Sequence, residues 1–239
     1  MLKIHIQHRW DLNEKEATSL QKELANQVIT QDQLPNIQYI AGVDVAYSEH
    51  TDQLIAAVVV LDAFTLEVIE SVTVKDAVQF PYLPGLFSFR ELPPVIKALQ
   101  QIEHEPQLIV CDSQGLAHPR RFGLACHLGV LLNIPAIGCG KTRLVGEHTE
   151  PDRLRGSSSA LIDEEQQIGS VLRTQTDVKP VFVSVGHRIS LETANEWILR
   201  LTPRYRLPET TRMADQLVRK ALKELENEVD VYNILEIDQ

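Results

Sequence analysis

The sequence predicts an α/β fold: a mixed central sheet of three antiparallel strands followed by parallel strands, with helices on its faces. Two features carry this expectation. Three β-like runs succeed one another with separators of hairpin length, and the chain then alternates helix-length and strand-length apolar segments. A third observation bounds it, because no run approaches the roughly eighteen consecutive apolar residues that a membrane span needs.

The elements come in order along the chain. From Glu14 to Val28, Ala17, Leu20, Leu24 and Val28 recur at helical spacing and predict an amphipathic leading helix, which Pro35 and Asn36 separate from the first strand. The three β-like runs are Tyr39 to Tyr47, Leu54 to Leu61 and Leu66 to Val74, which most simply form a meander. A Pro/Gly turn from Pro81 to Gly85 leads to a helix from about Pro93 to Ile102, with proline in its first turn where the missing N–H costs nothing. Leu108 to Cys111 is a short strand, Phe122 to Leu132 a buried helix and Ile134 to Cys139 a buried strand. A polar loop holding Gly156 and Ser157 to Ser159 precedes a hairpin of Gln167 to Thr174 and Pro180 to Val185, a helix near Leu191 to Leu201 and a last helix from Thr211. No internal repeat or composition break divides the chain, so residues 1–239 read as a single domain with a flexible acidic tail at 226–239. This is the element order of the ribonuclease H-like fold, which by itself does not fix the chemistry.

At 239 residues, 44% hydrophobic and 23% charged, the composition is that of a globular chain able to bury a sizeable core. Cys111, Cys126 and Cys139 lie in or beside apolar runs and form no even framework, so they read as reduced core thiols. Met1 to Trp10 lacks the basic and apolar regions of a secretory leader, which points to the cytoplasm. The formal charge of −10 argues against a polyanionic partner only if charge is uniform. It is not: residues 1–78 carry 5 basic against 12 acidic side chains, whereas 179–222 carry 8 against 4 and 112–146 carry 4 against 1.

Two aspartates stand out. Asp44 lies inside the apolar run Ile40 to Tyr47, and Asp112 ends Leu108 to Cys111. A carboxylate in such a setting is costly unless it is paired or holds a metal, and two of them on one sheet can converge on Mg²⁺. Each alone could equally end a strand and face water. Glu91 could complement a helix dipole, and Asp215 could form ion pairs with Arg212 and Arg219 on its own helix face. Gly138 to Thr142 resembles the tail of a phosphate loop, but Pro135 stands where that pattern requires glycine. Lys141 can still offer a point charge to a phosphate. Zinc at Cys111, His118, Cys126 and His127 fails for want of a close Cys pair, and thiols in apolar settings make poor nucleophiles. His118, Arg120 and Arg121 form a loop beside Asp112 that could grip a phosphodiester or simply be a solvated basic turn.

Six ordered blocks then resemble one family. Asp112-Ser113-Gln114-Gly115-Leu116-Ala117-His118-Pro119-Arg120-Arg121-Phe122-Gly123-Leu124 is similar to the central signature of endonuclease V. So are Ala41 to Tyr47, Pro81-Tyr82-Leu83-Pro84-Gly85 to Glu91, Ile134 to Lys141, Ser184 to Ala194, and Pro208 to Asp215. The resemblance implies a ribonuclease H-like, Mg²⁺-dependent endonuclease, with Mn²⁺ as substitute. Its substrate would be DNA containing deoxyinosine or other deaminated bases, cut at the second phosphodiester bond 3′ to the lesion to leave 3′-hydroxyl and 5′-phosphate ends. Asp44, Glu91, Asp112 and Asp215 match its metal-binding and catalytic acids, and Lys141 its active-site lysine. Tyr82 matches the wedge that fills the gap left by a rotated base, flanked by Pro84 and Gly85, with His118, Arg120 and Arg121 on the DNA side. Gly85, Ser113, Gly123 and Leu124 match the base pocket.

Two departures stand inside these blocks, Ser113 where the family usually has glycine and Gly140 where it has alanine, while Asp215 is a variant within the family's pattern. None removes a metal ligand. The expected protein is a monomer with no membrane partner. Single-stranded DNA and inosine-containing RNA remain alternative substrates, and a binding module without cleavage is the alternative of another class.

Overall fold

The computed structural model describes residues 2–237, with side chains through residue 227. Helix α1 (Glu14–Ala25) begins at a reciprocal cap: the Glu16 amide donates to Asn13 Oδ1 at 3.0 Å and the Asn13 amide to Glu16 Oε2 at 2.9 Å. It buries Ala17, Gln21 and Leu24 and ends before Val28. Strands β1 (Tyr39–Tyr47), β2 (Gln53–Asp62) and β3 (Val68–Ala77) form the expected antiparallel meander. Helix α2 spans Phe87–Leu99, strand β4 Leu108–Cys111, helix α3 Leu124–Leu132 and strand β5 Ala136–Gly140. Then come β6 (Ser158–Asp163), β7 (Gln166–Leu172), β8 (Val181–His187), α4 (Leu191–Leu201) and α5 (Glu209–Ile237).

All eight strands join one sheet in the order β3-β2-β1-β4-β5-β8-β7-β6. β1, β4 and β5 are parallel, and an antiparallel limb flanks them on each side. On one face α2 and α3 pack Leu92, Val95, Leu99, Leu128 and Leu131 against Ala41, Val43, Val58 and Ile109. On the other, α4 places Ala194, Ile198 and Leu201 against Val110, Ile137 and Val183, while Ala214 and Val218 of α5 cover Val59, Leu61 and Ile55. The first turn of α5 lies directly on β1, where a Cβ on Gly42 would collide with the Thr210 carbonyl. Only glycine admits that approach. The three cysteines are buried and free, and burial raises each thiol above its usual range.

Two expectations are corrected. The helix read as starting near Pro93 begins at Phe87, so Pro93 and Pro94 lie in its interior. Packing of Phe89, Leu92, Val95, Ile96 and Leu99 into the core outweighs the two lost amide donors. The segment after Gly156, read as a loop, contains strand β6, which hairpins onto β7 through Glu164 and Glu165 at φ 51° and 63°. Both turn residues are left-handed as a two-residue hairpin demands, but neither is the glycine or asparagine that would announce it. As an edge strand with Leu161 alone buried, β6 also offers only the short apolar run Ala160 to Ile162 between polar residues. The expected tail at 226–239 falls largely outside the residues whose side chains are described.

Candidate active site

Parallel strands β1 and β4 carry Asp44 and Asp112 to the same end of the sheet, Asp44 within β1 and Asp112 just beyond β4. Glu91 comes up from α2 in its fifth position, buried, and accepts a hydrogen bond from the Tyr47 hydroxyl at 3.1 Å. It is therefore a core carboxyl facing the sheet, not a dipole-complementing acid at a helix start. Asp44, Glu91 and Asp112 line one small cavity with Ser113 and Leu124. Asp215 reaches the group from the second turn of α5, whose seat on Gly42 sets its height above β1.

The electrostatics show how closely these acids are gathered. Burial, joined by the charges of Asp112 and Asp215, pushes the Asp44 carboxyl up to about 6, even though the Val45 amide donates to it at 2.9 Å. Burial likewise raises Glu91 well above the usual carboxylate range, against the Tyr47 hydrogen bond and with the charges of Asp44 and Asp112 adding to the rise. Lys141, at the exit of β5, is the local counter-charge: its ammonium contacts Asp112 Oδ2 directly and lies 3.9 Å from Asp215 Oδ1. Burial works against its charged form, but Asp112, Asp215 and Asp44 together raise its pKa. Arg206 fixes the strand exit by donating to the Lys141 carbonyl at 2.7 Å. Asp215 also pairs with Arg219 at 3.0 Å, whereas Arg212 turns to Glu209 at 2.6 Å.

Among the described residues no three His, Cys, Asp or Glu side chains form a ready cage for a metal ion. The donor set nevertheless suits a hard cation. Mg²⁺ is commonly held by one or two carboxylates while keeping several waters, and Asp44 and Asp112 are oxygen donors whose mutual repulsion a cation would relieve.

Beside this cluster lies a cavity of about 390 Å³ that reaches Asp112. Its wall includes Tyr82, Pro84, Gly85, Ser113, Gly123 and Leu124, so the structure brings together the residues expected around a base pocket. Tyr82 is 69% exposed at the cavity rim with its ring edge-on to Phe87. The turn behind it is clamped. Gly85, at φ 76°, presents its carbonyl oxygen to three donors: Arg120 Nη2 at 2.6 Å, Gln21 Nε2 at 2.9 Å and His118 Nε2 at 3.1 Å. Arg120 also donates to Gln21 Oε1, and Arg121 pairs with Asp163 at 2.8 Å. His118 and Arg120 thus face the inside of the turn, and Arg121 ties it to the β6–β7 hairpin.

Sequence reasoning gives no role at this site to Gln21, Ser88 and Gln114, which line the cavity, or to His127, which it weighs only as a zinc ligand and which lies behind Ser88. Gln21 does leave a signal, a polar side chain on the buried stripe of α1 between Ala17 and Leu24. A His inside an almost wholly apolar helix is a second signal, which a zinc reading turns to the wrong purpose.

A family model described as Endonuclease V matches residues 22–216. The endonuclease V of Trichormus variabilis is 51% identical over 217 residues, covering 90% of this chain and 98% of that protein. The crystal structure of endonuclease V from Streptomyces avermitilis superposes with a TM-score of 0.88 at 49% identity, covering 92% of this chain and 98% of the other. Endonuclease V of Ciona intestinalis, solved with a 24mer DNA containing an inosine followed by a ribo-adenosine, superposes with a TM-score of 0.79 at 31% identity over 88% and 98% of the two chains. The architecture shared with these structures is ribonuclease H-like.

Proposed function

Because this chain belongs to the endonuclease V family, we propose that it is a metal-dependent repair endonuclease that recognises deoxyinosine and hydrolyses the second phosphodiester bond 3′ to it. The observation that carries the reading is the junction of two sites: acids from β1, α2, β4 and α5 around Lys141, and next to them a base-sized cavity rimmed by an exposed tyrosine. The first suits phosphodiester hydrolysis and the second suits a base taken out of its stack.

Asp44 and Asp112 would hold Mg²⁺, or Mn²⁺ in its place, with Glu91 and Asp215 close by to orient water or a second ion. When bound, the metal supplies an activated water and stabilises charge on the phosphate. Lys141, anchored by Asp112 and Asp215, meets negative charge developing on the phosphate oxygens. Tyr82 takes the vacated place in the stack, and its clamped turn keeps the ring at the rim without a further ordering cost. The products carry 3′-hydroxyl and 5′-phosphate ends. The reading places a monomer in the cytoplasm, a setting in which three free thiols persist. No described helix is long and apolar enough to cross a membrane.

The test pairs matched DNA and RNA strands bearing one inosine with the protein, with Mg²⁺, Mn²⁺ or chelator. Metal-dependent nicking one nucleotide beyond the inosine in DNA is the expected result. Nicking of the RNA alone would reassign the substrate, and tight binding with no product in any metal would overturn the enzymatic reading.

A further inference from the structure

We propose that Ser88 is a specificity-determining residue of the base cavity, an obligate hydrogen-bond acceptor that reads the N1–H of a 6-oxopurine, with His127 and His8 as the positioning residues that fix its polarity. The inference rests on the cavity being the base site of the proposed function.

Ser88 lies in the first turn of α2, buried, and lines the cavity that reaches Asp112. Its Oγ is 2.9 Å from His127 Nδ1. The other ring nitrogen of His127 is 2.9 Å from His8 Nε2, and His8 Nδ1 is 2.7 Å from the carbonyl oxygen of Arg9. The direction of this chain is set by its far end. A carbonyl can only accept, so His8 Nδ1 carries a hydrogen. Burial holds His8 neutral, which leaves its Nε2 bare, and the hydrogen in the contact with His127 must sit on His127 Nε2. Burial keeps His127 neutral as well, so its Nδ1 is bare and the Ser88 hydroxyl must donate to it. The one hydrogen of Ser88 is thereby committed, and lone pairs are all that its oxygen offers elsewhere.

A second observation shows that the cavity awaits a polar ligand. Ser113 Oγ and Gln114 Oε1, both on its wall, are buried without a hydrogen-bond partner. Gln114 Nε2 is occupied by the Thr142 carbonyl at 2.9 Å, which leaves its Oε1 as another acceptor, whereas the Ser113 hydroxyl is free to donate. A wall with fixed acceptors and a free hydroxyl suits an edge with an N–H beside a carbonyl. Hypoxanthine has that edge. Adenine offers a bare N1 and an amino group, and its N1 would face the Ser88 lone pairs.

The experiment measures binding in chelator to DNA carrying inosine, adenine or nebularine, a purine with neither N1–H nor 6-oxo group, at one position. Ser88→Ala should weaken inosine binding by about fivefold, the weight of one hydrogen bond, and nebularine binding by less than about twofold. Equal losses on both would overturn the proposal. His8→Phe keeps an aromatic ring on His127 but removes its acceptor, which frees the Ser88 hydroxyl to donate, so the preference for inosine over adenine should narrow. An unchanged preference counts against the relay. The ¹⁵N shifts of His127 give a readout without substrate: a hydrogen on Nε2 is required, and a hydrogen on Nδ1 overturns the assignment. A wild-type protein with no preference for inosine over adenine would overturn the parent reading and this one together. A preference untouched by Ser88→Ala overturns this one alone.

Discussion

Asp44 illustrates the tension between stability and chemistry at one side chain. Its carboxyl is pushed up to about 6 by burial and then by Asp112 and Asp215, so ionising it near neutral pH costs the folded chain about 2–3 kcal/mol when no cation is bound. Asp44→Asn removes that charge at nearly constant shape. The metal-free variant should be more stable than wild type at pH 7.5 by about 1–3 kcal/mol in urea unfolding, while nicking of inosine DNA falls to background. Near-normal nicking would sink the metal assignment, and a loss of stability would sink the electrostatic argument. Asp44 and Asp112 are legible in the sequence because a carboxylate in an apolar strand is rare unless something offsets its burial. Glu91 is placed by resemblance, but its setting is not legible, since helix α2 begins six residues before the prolines that suggest its start.

At the scale of elements, the turn from Pro81 to Gly85 is held by α1 and by the loop before α3, because Gln21, His118 and Arg120 all donate to the Gly85 carbonyl. Gln21 Nε2 also reaches the Phe122 carbonyl at 3.0 Å, so Gln21→Ala leaves buried carbonyls short of a donor and Arg120 short of an acceptor. The variant should lose about 1–3 kcal/mol of stability and bind inosine DNA more weakly, with the metal dependence of nicking unchanged. Unaltered affinity would show that the clamp does not govern the wedge. The same clamp has a pH signature. Burial, reinforced by Arg120, pushes His118 down to about 4, so between pH 6.5 and 4 the unfolded chain binds a proton at this residue that the folded chain refuses. Stability should therefore fall as pH drops through that window, by about 2–3 kcal/mol from His118, and His118→Asn should flatten the slope in urea titrations. Strand periodicity and turn chemistry make the meander and the parallel strands readable. The clamp is not, because its partners are as much as 101 residues apart and only packing brings them together.

For the whole molecule, the question is what a net charge of −10 allows a nucleic-acid enzyme to do. The basic segments at 112–146 and 179–222 read as surfaces for a polyanion, but much of that charge is engaged with acceptors of the protein itself. Arg120 holds Gly85, Arg121 pairs with Asp163, Arg206 fastens the Lys141 carbonyl, Arg212 pairs with Glu209 and Arg219 with Asp215. Sequence counts positive charges, and the structure shows which are committed to protein acceptors. A guanidinium paired with a carboxylate has its charge offset, and one held by backbone carbonyls keeps its charge but has its donors turned inward, so each is less available to a phosphate. Binding should thus depend on the base cavity and the wedge more than on the backbone, with a shallow salt dependence. In chelator, the slope of log K against log salt for inosine DNA should be no steeper than about −3, the signature of about three neutralised phosphates. A slope near about −6 or beyond would mean that these arginines leave their partners for the DNA, and the fold would then have to rearrange around Gly85 on binding. A shallow slope together with a large affinity gap between inosine and adenine strands is what a cavity-dominated reader gives, because the gap is set inside a desolvated pocket that salt does not reach.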